Sequence, residues 1–245
     1  MNTQNNLEQL KELKLIGMAS TYQAVLDQPL HHQPELHLLI GMLTEAEIGY
    51  RQRARTELLL RLAKLRYPVL PEQVICSPER GLTPEQLLRL TDGSFIEKGD
   101  NILITGATGC GKSFLACAIG RKACMLGYRT LYYSMNRFLE ALGEARLEGS
   151  YLKWLNLIAK TPLLILDDFG LKALDSDSRL TLLQIFEDRY RKGATIITSQ
   201  LPVGKWYDYI HEPTLAEAIL DRLTAHANQI DLKGPSLRKE KKVDL

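Results

Sequence analysis

No apolar run in this sequence approaches the roughly 18 residues that cross a bilayer as a helix, which excludes a helical membrane span. The opening MNTQNNLEQLKELK has neither an apolar signal core nor a small-residue cleavage site, so the expectation is a cytoplasmic protein with no membrane partner. Cysteine is scarce. Cys76, Cys110, Cys117 and Cys124 include no close-spaced pair, which removes redox and zinc motifs and leaves small buried thiols. The histidines at 31, 32, 37, 211 and 226 form no HExxH motif and no Cys/His cluster, so nothing supports a zinc site. Net charge is only +2, and overall charge therefore points to no partner. Aromatic residues are 7% of the chain and form no stacking platform, which argues against a dedicated single-strand binder.

What the sequence does contain is pattern. Its 245 residues suffice for one substantial core plus an appendage. Apolar residues from Leu7 to about Leu26 recur at helical spacing and predict one amphipathic helix, with a second helical stretch from about 35 to 65. Pro29, Pro34 and Pro68 punctuate these helices, and Pro71, Pro78 and Pro84 fall in the segment that follows. This divides the chain into a helical N-terminal domain over 1–67, a connector over 68–98 and an α/β domain over 99–245. The last contains five short β-rich runs separated by helical segments: NILIT (101–105), RTLYY (129–133), LLILD (163–167), ATIIT (194–198) and NQIDL (228–232). Buried strands alternating with helices predict a five-stranded parallel sheet.

GATGCGKS, residues 106–113, matches G-x-x-x-x-G-K-[ST] directly after a predicted strand and before a predicted helix, the context the phosphate-loop motif requires. Gly106 and Gly111 permit the tight turn. The N–H groups from Ala107 through Thr108, Gly109, Cys110 and on to Phe114 would face the phosphates of ATP. Lys112 would bridge the β- and γ-phosphates, and the Ser113 hydroxyl would ligate Mg²⁺. LLILDDFG ends a buried strand in two carboxylates: Asp167 suits the Mg²⁺ shell beside Ser113, and Asp168 could polarise an attacking water. At the end of the fourth strand, Ser199, or failing it Gln200, is placed to touch the γ-phosphate. Arg222 before the last strand and Arg238 after it are candidates for stabilising transition-state charge; a surface ion pair of Arg222 with Asp188 or Glu217 is the plain alternative. The connector around Arg80, Gly81 and Phe95 is where an adenine pocket is expected.

In GYRQRARTELLLRLAKLR (49–66), six basic residues face one acid, Glu57. On a helix, Leu58, Leu62 and Leu65 make an apolar stripe, with Arg53 and Lys64 away from it and Arg61 on its flank. Arg51, Arg53, Arg55, Arg61 and Lys64 could lie along the phosphates of duplex DNA, with salt-dependent and weakly sequence-selective binding.

The order strand, GATGCGKS, helix, LLILDDFG, TIITSQ, ILDRL and GPSLRK resembles the AAA+ ATPases of the DnaA/DnaC clade, and within it the IstB-type transposition helper proteins. The opening LEQLKELKLIGMASTYQAVL and the stretch LLIGMLTEAEIGYRQRARTELLLRLAKLRYP are also similar to the IstB N-terminal module. The resemblance implies an AAA+ core without a helical lid, in keeping with the 13 residues after Leu232. It also implies Arg238 as second sensor, Arg222 as a finger acting on the next subunit's ATP, and a head-to-tail homo-oligomer, ring or filament. The implied function is an ATPase that assembles on duplex DNA, selects and shapes it, and recruits a partner transposase. A helicase loader of the DnaC type is the alternative.

Overall fold

The computed structural model describes residues 3–237. It contains two compact units that divide at Leu58/Leu59, within the long helix α3 (Leu36–Ala63).

In the first unit the single helix expected from Leu7 to Leu26 is two: α1 (Thr3–Glu12) and α2 (Ile16–Leu26). Lys14 adopts φ 58°, the Leu15 amide donates to Leu10 O at 2.8 Å and the Lys14 amide to Lys11 O at 2.9 Å. This is a left-handed helix stop without its usual glycine, so the apolar spacing continues through a break that composition does not mark. α2 then meets α3 at very short range. A Cβ on Gly17 would lie 2.4 Å from Ala46 O, a distance no side chain tolerates. The buried Glu47 carboxylate accepts from the Gly17 amide at 2.8 Å and the Met18 amide at 3.3 Å, and from Arg51 Nε at 2.7 Å. A carboxylate on the first-turn amides complements the helix dipole. Burial alone would raise the Glu47 pKa, but these hydrogen bonds and the Arg51 charge outweigh it and hold the group below its ordinary value.

The second unit is built on a parallel sheet of five strands: β1 (Asn101–Gly106), β2 (Thr130–Ser134), β3 (Leu163–Phe169), β4 (Ala194–Ser199) and β5 (Ala227–Leu232), in the order β2-β3-β4-β1-β5. The runs read from sequence match these strands to within two residues at either end. Central strands buried on both faces need continuous apolar runs, and β1, β3 and β4 carry them. One face packs Phe138, Leu182, Ile185, Trp206 and Ile219 from α7 (Met135–Leu147), α9 (Ser176–Arg189), α10 (Trp206–Ile210) and α11 (Pro213–Thr224). The other packs Leu115 and Ile119 of α6 (Lys112–Met125), together with Leu82, Leu90, Phe95 and Ile96 from the segment before β1. Residues 82–96 are thus part of the core, with α4 (Pro84–Thr91) started by a reciprocal Thr83–Gln86 cap.

Arg189 is buried at the end of α9. Its guanidinium donates to Ile158 O at 2.7 Å, Thr161 O at 2.6 Å and Thr195 Oγ1 at 3.1 Å, and also to Ala194 O, and burial pulls its pKa down to about 10. It ties α9 to the starts of β3 and β4 and to α8 (Tyr151–Ala159). Among the described residues no helix is long and apolar enough to cross a membrane. The four cysteines are free; Cys110, Cys117 and Cys124 are buried, and burial pushes the Cys117 thiol up to about 11.

Candidate functional site

β1 ends at Gly106 and α6 begins at Lys112, so GATGCGKS forms the turn between them. Gly106 sits at φ 143° and Gly111 at φ 102°, and a Cβ on Gly106 would fall 2.2 Å from Leu232 O. Glycine here is required both by backbone conformation and by the closeness of β5. The Lys112 ammonium, nearly buried, bends back over the loop and donates to Ala107 O at 2.9 Å. Its charge is thereby held where the loop amides and the N-terminus of α6 converge, the arrangement that binds phosphate.

Two further segments brace the loop. Arg80 Nη2 donates to Cys110 O at 2.7 Å, and the Leu237 amide donates to Gly109 O at 3.0 Å. A cavity of about 390 Å³ opens beside the loop. Its wall includes the loop residues Thr108 to Phe114, with Asp168 and Gln200 on the polar side and Val74, Ile75, Leu82, Leu232 and Leu237 on the apolar side. Of the connector residues expected at an adenine pocket, Arg80 lines this cavity. Phe95 is buried in the core behind it. Val74 and Ile75 were not foreseen, because apolar residues in a proline-punctuated connector carry no periodic signal.

The two carboxylates meet the loop at the end of β3. Ser113 Oγ donates to Asp167 Oδ1 at 2.8 Å. Asp167 is fully buried and also accepts from Tyr132 OH at 2.5 Å and from the Thr198 hydroxyl. Burial and the negative charge of Asp167 push the Tyr132 phenol strongly upward. The pairing of β3 with β4 shifts register between Leu166 and Phe169, and Asp168 within that bulge has φ 63°. A bulge re-aims side chains, and here Asp168 turns to the cavity while Asp167 stays inside. Burial and the neighbouring Asp167 raise the Asp168 pKa above its ordinary value, opposed by Arg66 and Lys112. Arg66 Nη1 lies 3.3 Å from Asp168 Oδ2 and 3.5 Å from Asp167 Oδ2. Arg66, Tyr132 and Thr198 were not singled out from sequence; their link to Asp167 spans 101, 35 and 31 residues, and nothing local marks it.

Of the two residues expected at the γ-phosphate, Gln200 lines the cavity and Ser199 does not. Ser199 is fully buried, donates to Phe169 O at 2.6 Å and accepts from the Leu201 amide at 3.1 Å, and it does not line the cavity. Gln200 does, with Thr108 Oγ1 donating to its Oε1 at 2.8 Å. The strand's last side chain turns inward and the next one faces the loop.

Arg222 pairs with Glu187 at 2.6 Å and Asp221 at 2.9 Å, acids one position from Asp188 and four from Glu217 in their respective segments. Asn101 Nδ2 donates to Arg222 O at 3.2 Å, which places Arg222 at the beginning of β1. The phosphate loop follows the other end of that strand, about 17 Å away at 3.3 Å per residue. Arg222 therefore does not reach the loop of its own chain. Arg238 lies outside the described residues.

On α3, Arg51, Arg53, Arg55 and Arg61 are exposed, as is Lys64, whose φ of 51° ends the helix. Arg51 is engaged by Glu47. The expected apolar stripe is not a buried seam: Leu58 and Leu62 are 44% and 41% exposed, and only Leu65 packs into the core clusters.

Ser113 and Asp167 fit a Mg²⁺ site: a hydroxyl of a cavity-lining residue and a buried carboxylate 2.8 Å apart at the start of the phosphate-binding helix, both hard oxygen donors suited to that ion. The sheet order, the loop after β1, the acidic end of β3 and the polar end of β4 define a P-loop protein of the AAA+ class. Solved structures with this fold include the DnaC helicase loader (TM-score 0.58, 22% identity, 70% of this chain and 100% of that one) and AMPPCP-bound DnaA from Aquifex aeolicus (0.58, 23%, 69% and 51%). The chain belongs to the IstB-like ATP binding protein family, which it matches over residues 8–244. It is 41% identical over 236 residues, 96% of each chain, to a Sinorhizobium fredii protein named for insertion sequence ATP binding, y4pL. It is 27% identical over 233 residues, 95% of this chain and 88% of the relative, to the one named for insertion sequence IS21 of Pseudomonas aeruginosa.

Proposed function

We propose that this chain is an ATP-dependent, DNA-binding helper of transposition that self-assembles on duplex DNA, selects and shapes the target and recruits a partner transposase. The observation that carries the reading is the Ser113–Asp167 contact at the phosphate loop, in a chain whose family and relatives are named for ATP binding in insertion sequences. Thr108 to Phe114 hold the phosphates, Lys112 spans β and γ, and Ser113 and Asp167 hold Mg²⁺. The bound ion supplies charge neutralisation at the transferring phosphoryl group. Asp168 orients water from its bulged position. Gln200, facing the loop, senses the γ-phosphate in place of Ser199.

Arg222 sits about a strand length from its own loop, so in a head-to-tail homo-oligomer it would serve a neighbour's nucleotide, exchanging its pairs with Glu187 and Asp221 for the phosphate. That interface couples hydrolysis to assembly. Arg238 is the second candidate for that task. Arg53, Arg55, Arg61 and Lys64 contact duplex phosphates, with Arg51 contributing through its free donors. Apparent DNA affinity should therefore fall steeply with salt. Measuring duplex binding against salt with a non-hydrolysable ATP analogue, in wild type and an Arg53→Ala/Arg61→Ala double variant, tests this. A flat salt dependence, or an unchanged slope in the variant, rejects the DNA assignment.

The fold shared with the DnaC helicase loader gives a second reading, a loader that grips a replicative helicase. Association with a helicase and indifference to duplex DNA would favour it.

A further inference from the structure

We propose that Arg66 is a positioning residue of the nucleotide site: its guanidinium and Mg²⁺ compete for the Asp167–Asp168 carboxylate pair, so that Arg66 sets how much metal the site requires. The proposal rests on the ATP·Mg²⁺ reading above.

Asp167 and Asp168 are adjacent carboxylates, the first fully buried. Three hydroxyls, from Ser113, Thr198 and Tyr132, donate to Asp167 but bring no charge. Among the described residues, the ion pairs of the two carboxylates are both with Arg66, at 3.5 and 3.3 Å. A dication entering between Ser113 and Asp167 becomes a like-charged neighbour of that guanidinium. Each cation then weakens the other's hold on the shared carboxylates.

The geometry suits exchange rather than permanent pairing. Main chain on both sides of Arg66 is fixed to α6, the helix that begins with Lys112: Leu65 and the buried Val69 pack with Cys117 and Ala118, and the Tyr67 ring lies 6.2 Å from that of Phe114. The Arg66 side chain itself is 42% exposed and its two ion pairs are long. Its Cζ lies 5.4 Å from the centre of the Tyr67 ring, a surface that can keep the cation when the carboxylates release it. A cation on a fixed backbone that touches the acids and an aromatic face at once can give up the first contact and keep the second without disturbing the fold.

The test is binding of a fluorescent non-hydrolysable ATP analogue to the full chain, first in EDTA and then titrated with Mg²⁺, for wild type, Arg66→Ala, Arg66→Lys and Lys112→Ala. Circular dichroism checks folding, and Arg66→Gln replaces the alanine variant if that one does not fold. The expected result is a Mg²⁺ midpoint lowered about three- to fivefold in Arg66→Ala, the size of a half-exposed ion pair. Analogue affinity in EDTA should stay within about twofold of wild type, and Arg66→Lys should restore the wild-type midpoint. A raised or unchanged midpoint overturns the proposal. So does weakened analogue binding in EDTA, which would make Arg66 a phosphate contact. Equal binding by wild type and Lys112→Ala overturns the reading of the loop itself and this proposal with it.

Discussion

Ser113 Oγ and Asp167 Oδ1, 54 residues apart in sequence, meet at 2.8 Å where β3 ends against the start of α6. The contact joins a hydroxyl at the loop to a carboxylate held by Tyr132 and Thr198. Asp167→Asn preserves the shape and removes the charge. Its expected effect is loss of Mg²⁺-stimulated ATP hydrolysis by about 10²-fold or more, with the fold intact; steady-state hydrolysis and a thermal melt on the same preparation check it.

Ser199 and Gln200 should separate cleanly. Ser199→Ala removes a buried hydroxyl that bridges Phe169 O and the Leu201 amide, and should cost about 1–2 kcal/mol of stability without a specific effect on hydrolysis. Gln200→Ala should leave stability unchanged and lower single-turnover hydrolysis by about 10²-fold with nucleotide binding retained. The reverse pattern would return the sensing role to Ser199.

The central strands were legible because a strand buried on both faces carries a nearly continuous apolar run, as LLIL of β3 does. The phosphate loop was legible because its chemistry is local, with every group within eight residues. What could not be read was built across the chain. Lys14 stops α1 without a glycine, Glu47 reaches 30 residues back to the Gly17 amide, and Arg66 and Tyr132 converge on Asp167. Nor does a sequence show that Ser199, the last strand residue, turns inward while Gln200 faces the cavity.

Glu47 makes the first helical unit sensitive to acid. Its folded pKa lies below the model-peptide value of 4.5, so its contribution is present above that value and is lost as pH falls through the lower folded one. Melting curves of the full chain from pH 6 to about pH 3 should show wild type losing more stability than Glu47→Gln over that window. Parallel curves would show that the carboxylate contributes nothing there.

Arg189→Ala would leave the carbonyls of Ile158, Thr161 and Ala194 without their shared donor and open a cavity. The expected cost is about 3–5 kcal/mol, read by urea denaturation. Arg189→Met fills more of the space without a buried charge and should cost less than the alanine change. Equal costs would mean that the lost hydrogen bonds, and not packing, govern this site.

The central claim is that nucleotide at the loop switches assembly on duplex DNA. Its most direct test is the mass and shape of the purified chain with and without duplex DNA and a non-hydrolysable ATP analogue, in wild type and Lys112→Ala. Large assemblies that need both nucleotide and duplex, and that Lys112→Ala fails to form, are the predicted result. A chain that keeps the same mass under every condition, or assembles equally well with Lys112→Ala, would contradict it.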